Sequence, residues 1–459
     1  MSRRRNTVAG LSLSELNVIM RHPEQLANLE AINGLLQRFD HAGDDPGRLT
    51  DLQERLYRTV YRAQEFGHDI RRALERLGSG KTTGWPKSHD VDTDITPPWR
   101  LQCAPDCRDV RLWDVELRVA ERIDRQLKSV GDGLAWRVYW YDRRAIIALS
   151  QNDPPGPFAG KKGLDAERSV LADLWSEHGH FVLMHDLTSV LRIVDITEVQ
   201  ASGFRLLHEV KANPKASATK QLRLAQAALD AIAGESPLPA RDPAWQTYLW
   251  RSSIQLRTHI RQLRQLIDQA SRDGFYVAKI GDRVAGAVNL VTAAQADEDF
   301  GDQWEAYDTR RQAALHRHLP QSVHHMKSIS ADAAGRDPAI APFAIFPLPA
   351  WQRAGLICDY VIIETTMAAQ SLIVALGERG MSARPLLPLV NGARSPGDEE
   401  LEITRGQRRM ILHGAAITQM LHEWVFTERY AEATAELIGT TGLAPNDVLT
   451  FSNERAQWT

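Results

Sequence analysis

Cysteine is scarce in this sequence, charge of one sign does not dominate, and no long apolar run occurs. Three cysteines among 459 residues, Cys103, Cys107 and Cys358, give no disulfide framework and point to a reducing, cytoplasmic setting. Cys103 and Cys107 form C-x3-C without a second Cys/His pair at suitable spacing, so a structural zinc site is not expected. No stretch reaches the ~18 apolar residues that read as a membrane span, and no membrane partner is expected. The opening MSRRRNTVAGLSLSELN has arginines but no apolar core behind them, which argues against a signal peptide. With 55 Lys and Arg against 58 Asp and Glu, the net charge is −3. Any nucleic-acid site must therefore be a local patch. No internal repeat indicates a solenoid.

The length allows two or three domains with ample core. Residues 11–77 read as wholly helical: Ser12 or Ser14 caps LSELNVIM, and a second helix from Pro23 carries Leu26, Leu29, Ile32, Leu35 and Leu36. After the breaker HAGDDPG, a third helix carries Leu49, Leu52, Leu56 and Val60. LGSGKTTG invites a P-loop reading through Gly80-Lys81-Thr82. Glu75 stands where the earlier glycine belongs, and a charged helix precedes the motif where a strand should; Gly78 reads as a helix C-cap. WPKSHDVDTDITPPW reads as a linker. Residues 110–130 form another amphipathic helix. LAWRVYWYDRRAIIALS fits either one buried helix or a hairpin turning at Asp142-Arg143, with Trp136, Tyr139, Trp140 and Tyr141 as core or as base-stacking rings.

The most informative stretch is Leu191 to Gln226. An apolar run ends in Asp195, a turn follows at Ala201-Ser202-Gly203, and a second run ends in Glu209-Val210-Lys211 before a Gln-bearing helix. Side chains two apart share a strand face, so Glu209 and Lys211 project together, and a hairpin brings Asp195 beside Glu209. Two carboxylates and a lysine on one sheet edge suit a divalent cation and an attacking water. From Arg205 to Arg223 five basic residues (Arg205, Lys211, Lys215, Lys220, Arg223) face one acid, a local positive field on a nearly neutral chain. Lys161 and Lys162 lie on a loop where they either touch phosphate or are simply solvated. His178, His180 and His185 crowd the first strand; a carboxylate-plus-lysine site prefers Mg²⁺ or Mn²⁺ with oxygen ligands, so they read as structural or substrate-proximal.

This ordered set resembles the PD-(D/E)XK (restriction-endonuclease-like) nuclease superfamily over residues 160–235. The resemblance implies Asp195 and Glu209 as ligands of Mg²⁺ or Mn²⁺, joined by the Val210 carbonyl and by Glu167 on the preceding helix. It implies Lys211 as the residue that positions or activates water, and Gln221 as the glutamine of the following helix, with Gln226 the alternative. Val194 stands where the family's proline would be, and Asp186 is a rival for the first acid. The implied fold is α/β (α+β): a helical N-terminal region, 1–90; a restriction-endonuclease-like domain, 91–235, with a mixed sheet flanked by helices; and a C-terminal α/β domain, 244–459. The implied activity is metal-dependent phosphodiester hydrolysis, with DNA favoured over RNA. The alternative is a catalytically inactive nuclease fold acting as a nucleic-acid-binding or partner-binding subunit.

Past SPLPARDP, a helix from Trp250 carries Leu256, Ile260, Leu263 and Ile267 beside Arg257, Arg261 and Arg264. FYVAKIGDRVAGAVNLV reads as a hairpin around Gly281-Asp282, and CDYVIIETT as a buried strand leading into a helix. Two or more helices close the chain with Trp424 and Phe426 as anchors. No catalytic set emerges there, so this half is expected to recognise nucleic acid, a protein partner, a second copy or a small signal. The layout is similar to effector nucleases of prokaryotic antiviral defence.

Overall fold

The computed structural model describes residues 7–8, 11–78, 110–151, 156–161, 163–211, 219–234, 236–238, 246–319, 325–329, 337–386, 400–412, 414–439 and 447–452. Gly80-Lys81-Thr82, Cys103, Cys107, Lys162 and Lys215 lie outside them. A short antiparallel pair, β1 (Thr7–Val8) and β2 (Leu11–Ser12), leads into α1 (Leu13–Met20). Helix α2 (Pro23–Ala42) starts on a proline at its first turn, where no N–H is missed, and the His22 Nδ1 accepts from the Glu24 N–H at 3.3 Å. Helix α3 (Pro46–Gly78) buries the expected Leu49, Leu52, Leu56 and Val60 stripe. It packs on α4 (Val110–Val138), whose Val119, Ile123, Leu127, Val130 and Leu134 form the matching face.

The aromatic stretch after α4 forms neither an unbroken helix nor a strand hairpin. Trp140 and Tyr141 take left-handed φ values of 53° and 63°, and Asp142 then caps α5 (Arg143–Leu149) by accepting from the Arg144 N–H at 3.0 Å. That capping carboxylate stops one helix and starts the next within a single turn. Trp136, Tyr139 and Tyr141 are buried, while Trp140 is exposed beneath the Arg205 guanidinium, 3.6 Å from its ring centre.

Helix α6 (Leu164–His178) ends at left-handed Gly179 and leads to β3 (Phe181–Met184), a 3-10 turn at His185–Leu187, β4 (Ile196–Val199), β5 (Arg205–His208) and α7 (Thr219–Ala233). The three strands pair in the order β3-β4-β5, antiparallel throughout: Val182 faces Glu198, and Glu198 faces Leu206. The mixed sheet expected here is not found among the described residues, because the strand after α7, β6 (Gln246–Arg251), pairs in parallel with β14 (Asp447–Ser452) instead. The β4–β5 turn closes through the Gly203 N–H to the Gln200 carbonyl, 2.8 Å. Its Gly203 has φ 85° and sits against the Trp140 ring, where a β-carbon would come within 3.0 Å.

The C-terminal half runs α8 (Ile260–Asp273), β7 (Phe275–Ile280), β8 (Arg283–Asn289), α9 (Val291–Gln295), α10 (Gly301–His318), β9 (His325–Ile329), α11 (Ala350–Ile357), β10 (Val361–Ala368), α12 (Ala369–Gly377), β11 (Ser382–Leu386), β12 (Glu400–Arg405), β13 (Arg408–Leu412), α13 (Gly414–His422) and α14 (Thr427–Gly439) before β14. The hairpin expected at Gly281-Asp282 is β7–β8, and the strand-to-helix passage of CDYVIIETTMAAQ is β10–α12. The helix expected from Trp250 begins only at Ile260. QTYLWR is rich in aromatic and β-branched residues, and its strand partner lies far downstream, beyond the reach of local periodicity. The chain is thus an α+β protein of helices and small, mostly antiparallel sheets.

One apolar cluster runs from Leu16 and Leu36 through Leu127, Phe181, Leu263, Val288 and Ile362 to Trp424. A second joins α12, α13 and α14 to the β11-β12-β13 sheet through Leu372, Leu401, Ile403, Met420 and Tyr430. Two buried ion pairs cross the larger cluster: Arg143 to Glu423 at 2.5 Å, both fully buried, and Arg122 to Asp359. Removing one partner of such a pair costs about 3–5 kcal/mol, since the other charge stays buried alone.

Candidate active site

The β3–β4 connection carries the first acids. The His185 N–H donates to the Asp195 carbonyl at 2.9 Å, and the Asp195 N–H donates to the His208 carbonyl at 3.1 Å. These two bonds extend the ladder one residue past β4, so Asp195 stands at the strand's mouth. Val194, just before it, is held at φ 59°, a left-handed conformation that a β-branched residue rarely adopts. Backbone strain of this kind persists only where its surroundings over-determine it, and it clusters at functional positions.

A buried polar chain fixes this turn. The His185 Nδ1–H donates to the Ile193 carbonyl (2.9 Å), its Nε2 accepts from the Thr197 hydroxyl (2.6 Å), and Thr197 in turn accepts from Tyr139 (2.8 Å). Burial pushes the His185 pKa down to about 4, so the ring is neutral and its tautomer is set by these partners. From the other side, Asp132 on α4 accepts from the Ser189 N–H (2.6 Å), the Ser189 hydroxyl (2.6 Å) and the Val190 N–H (3.2 Å). Burial still raises its pKa to about 6.

Three acids converge on one ammonium. Lys161 Nζ lies 2.7 Å from Glu167 Oε1, 2.8 Å from Asp186 Oδ2 and 3.4 Å from Asp195 Oδ1. Burial works against the lysine's charge, but Asp186 and Glu167 outweigh it and hold the ammonium above its usual range. Glu167 behaves oppositely: burial, with Asp186 and Asp195 adding repulsion, raises its carboxyl to about 7 against the pull of Lys161. Its Oε2 is buried without a hydrogen-bond partner among the described residues. The remaining Asp195 oxygen, Oδ2, accepts from the Val210 N–H at 2.8 Å, which fastens the Glu209-Val210-Lys211 segment to the first acid. Glu209, almost fully buried, pairs with Lys211.

Thus Glu167, Asp186 and Asp195 share one centre, and Glu209 and Lys211 stand next to it across Val210. Both candidates for the first acid reach Lys161, Asp186 more closely. Glu209-Val210-Lys211 begins just after β5 and does not form its last residues. Gln221 Oε1, on α7, is buried without a hydrogen-bond partner among the described residues, whereas Gln226 is exposed and donates to Asp230 at 2.7 Å. Of the basic residues counted toward phosphate binding, Lys220 and Arg223 are exposed on α7, and Arg205 is turned to the Val138 carbonyl and the Trp140 ring.

Lys161 is the residue that sequence reasoning left as a phosphate contact or a solvated loop. A second cluster was also not foreseen: Glu198 on β4 takes His180 Nδ1 at 2.7 Å on one oxygen and His208 Nε2 at 2.8 Å on the other. Burial alone would raise the Glu198 pKa; these two hydrogen bonds outweigh it and bring it below the usual range. Strand alternation was the available signal, since Glu198 and the residue facing His208, Ile196, are two apart on β4.

A hard divalent cation prefers oxygen donors, and the donor chemistry of Glu167, Asp186 and Asp195 fits one. In this structure all three face the Lys161 ammonium, and among the described residues no group of three or more His, Cys, Asp or Glu side chains is spaced to hold a metal ion. Searches against protein-family models, curated proteins and solved structures find no match to this chain.

Proposed function

We propose that the protein is a metal-dependent nuclease of PD-(D/E)XK type, with DNA the favoured substrate and the C-terminal half as the part that recognises nucleic acid, a partner or a small signal. The observation that carries this reading is the meeting of an acid from α6 (Glu167), an acid at the mouth of β4 (Asp195) and the Glu209-Val210-Lys211 segment, joined by Lys161 and by the Val210–Asp195 hydrogen bond. A strained Val194 and a buried, unpartnered oxygen on Glu167 support it, because a purely structural cluster needs neither.

Mg²⁺ or Mn²⁺ held by Asp195, Glu209, the Val210 carbonyl and Glu167 would neutralise a scissile phosphate and lower the pKa of a bound water. The protein's own part is to aim and to exchange protons. Lys211, one-third exposed beside the nearly buried Glu209, would orient the attacking water and favour its hydroxide form through its charge. Glu167, with a pKa near 7 in the metal-free protein, is partly protonated at neutral pH, so a cation bound there would release its proton. Lys220 and Arg223 follow the phosphate backbone from α7.

A second reading is favoured by the ion pairs themselves. Lys161 satisfies three of the acids and Lys211 the fourth, as in an inactive fold retained for binding. Cleavage of labelled double-stranded DNA, single-stranded DNA and RNA with Mg²⁺, Mn²⁺ or EDTA separates the two. The nuclease cuts at least one substrate with metal and loses at least 100-fold in rate on Asp195→Ala, Glu209→Ala or Lys211→Ala, with circular dichroism unchanged. Unchanged rates in any of the three variants overturn the site. DNA binding without cleavage, in every metal, supports the inactive fold.

A further inference from the structure

On the side of α4 away from the acids, a half-open cleft of about 370 Å³ lies between α2, the end of α4, α8 and residues 345–353. Its volume falls in the range of small-molecule sites, well below what a polymer needs. Its lining is of two kinds. Three guanidiniums, Arg137, Arg264 and Arg353, stand with a single carboxylate, Asp40. The rest is apolar or aromatic, Tyr141, Phe346, Leu348 and the prolines on either side of Leu348 among them, and the prolines fix φ and so shape the lining in advance.

The arginines keep donors in reserve. Arg264 is exposed and its guanidinium makes no hydrogen bond or ion pair among the described residues. Arg353 is buried; it donates to the Ala344 carbonyl at 2.6 Å and pairs with Asp40, and its Nε has no partner among the described residues. Burial lowers the Arg353 pKa and the neighbouring Arg137 lowers it further, so the two cations repel across the cleft. Arg137 is anchored by the Phe39 ring (3.6 Å) and by the Phe39 and Gly43 carbonyls at 2.6 and 3.2 Å, both through one terminal nitrogen. Tyr141 reaches the cleft through two consecutive left-handed residues, a costly backbone choice, and lies close enough to Arg353 to act on its charge. Three convergent guanidiniums with one carboxylate are an excess of two positive charges. Planar, bidentate donors of this kind match the oxygens of phosphate.

We infer that this cleft binds a small organic phosphate, a phosphomonoester whose phosphate sits among Arg137, Arg264 and Arg353 and whose flat apolar part lies along Tyr141 and Phe346. The site is separate from the acid cluster and does not depend on its activity. A mononucleotide is the natural probe, since it has both halves.

Calorimetric titration of the full-length protein with AMP, phenyl phosphate, adenosine and inorganic phosphate tests this directly. AMP or phenyl phosphate binds at least tenfold more tightly than adenosine and than inorganic phosphate. Arg264→Ala, on an exposed position of α8, weakens that binding about tenfold or more, and Arg264→Glu abolishes it. Arg261→Ala, exposed on the same helix outside the cleft, leaves it unchanged. Three results overturn the inference: neither ester binding at about 1 mM, equal affinity in wild type and Arg264→Ala, or inorganic phosphate binding as tightly as the esters.

Discussion

Lys161 decides how the acid cluster behaves, and its position makes a prediction at the scale of one side chain. Its ammonium stands where a cation bound by Glu167, Asp186 and Asp195 would stand, so in a nuclease it competes with metal. Lys161→Ala is expected to lower the Mg²⁺ concentration for half-maximal cleavage while lowering thermal stability, because three like charges are left facing one another. A higher Mg²⁺ requirement would contradict the competition. Glu167 adds a pH effect. Its folded pKa, about 7, lies above the unfolded value near 4.5, so between these limits the native state binds more protons and stability falls as pH rises. From pH 5 to 8 the wild type should lose about 1–2 kcal/mol relative to Glu167→Gln, read from urea midpoints, solvent screening near Lys161 reducing the full amount. Asp195, Glu209 and Lys211 were legible in the sequence because their spacing is local to one hairpin. Lys161 was not, since it stands just before α6 while two of its three acids, Asp186 and Asp195, lie 25 and 34 residues away, beyond α6 and β3.

Among the elements, α4 is the wedge between the two halves of the molecule. A β-carbon on Gly131 would come within 1.9 Å of the Leu187 carbonyl oxygen, and one on Gly133 within 2.7 Å of the Ala344 side chain. The helix therefore touches the turn bearing Asp186 with its bare backbone. Gly131→Ala should destabilise by about 3 kcal/mol, as overpacking against a main chain cannot relax. Gly34→Ala, inside α2 with nothing within 4 Å, should stabilise by about 0.5–1 kcal/mol. Chemical denaturation of both measures the contrast, and a neutral Gly131→Ala would mean that the turn yields. Helical periodicity made α2, α3 and α4 readable, because an amphipathic stripe is a local pattern. It misplaced the start of α8 and left the stretch after α4 undecided. There a non-local strand pair and a single capping aspartate govern the chain.

For the molecule as a whole, the continuous core and the buried Arg143–Glu423 and Arg122–Asp359 pairs tie early and late chain segments together. Residues 91–235 expressed alone would lack the Glu423 and Asp359 carboxylates that pair with the buried Arg143 and Arg122; the fragment should be insoluble or molten, with weak near-ultraviolet circular dichroism. A cooperative unfolding transition of that fragment would show that the halves are independent. Acid acts globally too. His185 and His422 are buried neutral with pKa values near 4, against about 6.5 unfolded, so the unfolded chain binds more protons between those limits. Their stabilisation is complete above pH 6.5 and is lost as pH falls toward 4, on the order of 3 kcal/mol each. Below pH 6.5 this loss, to which His259 with a pKa near 4 adds, works against the gains from Glu167 and Asp132.

The pairing of β14 with β6 has a mechanical side. The strands are parallel, Gln246 beside Asp447 and Arg251 beside Ser452, so the free end of each lies at the opposite end of the ladder. A pull applied just before β6 and just after β14 drags them past one another, loading every rung of the ladder at once. The C-terminal half is thus latched into a ring that resists stretching in shear, where a hairpin would unzip bond by bond.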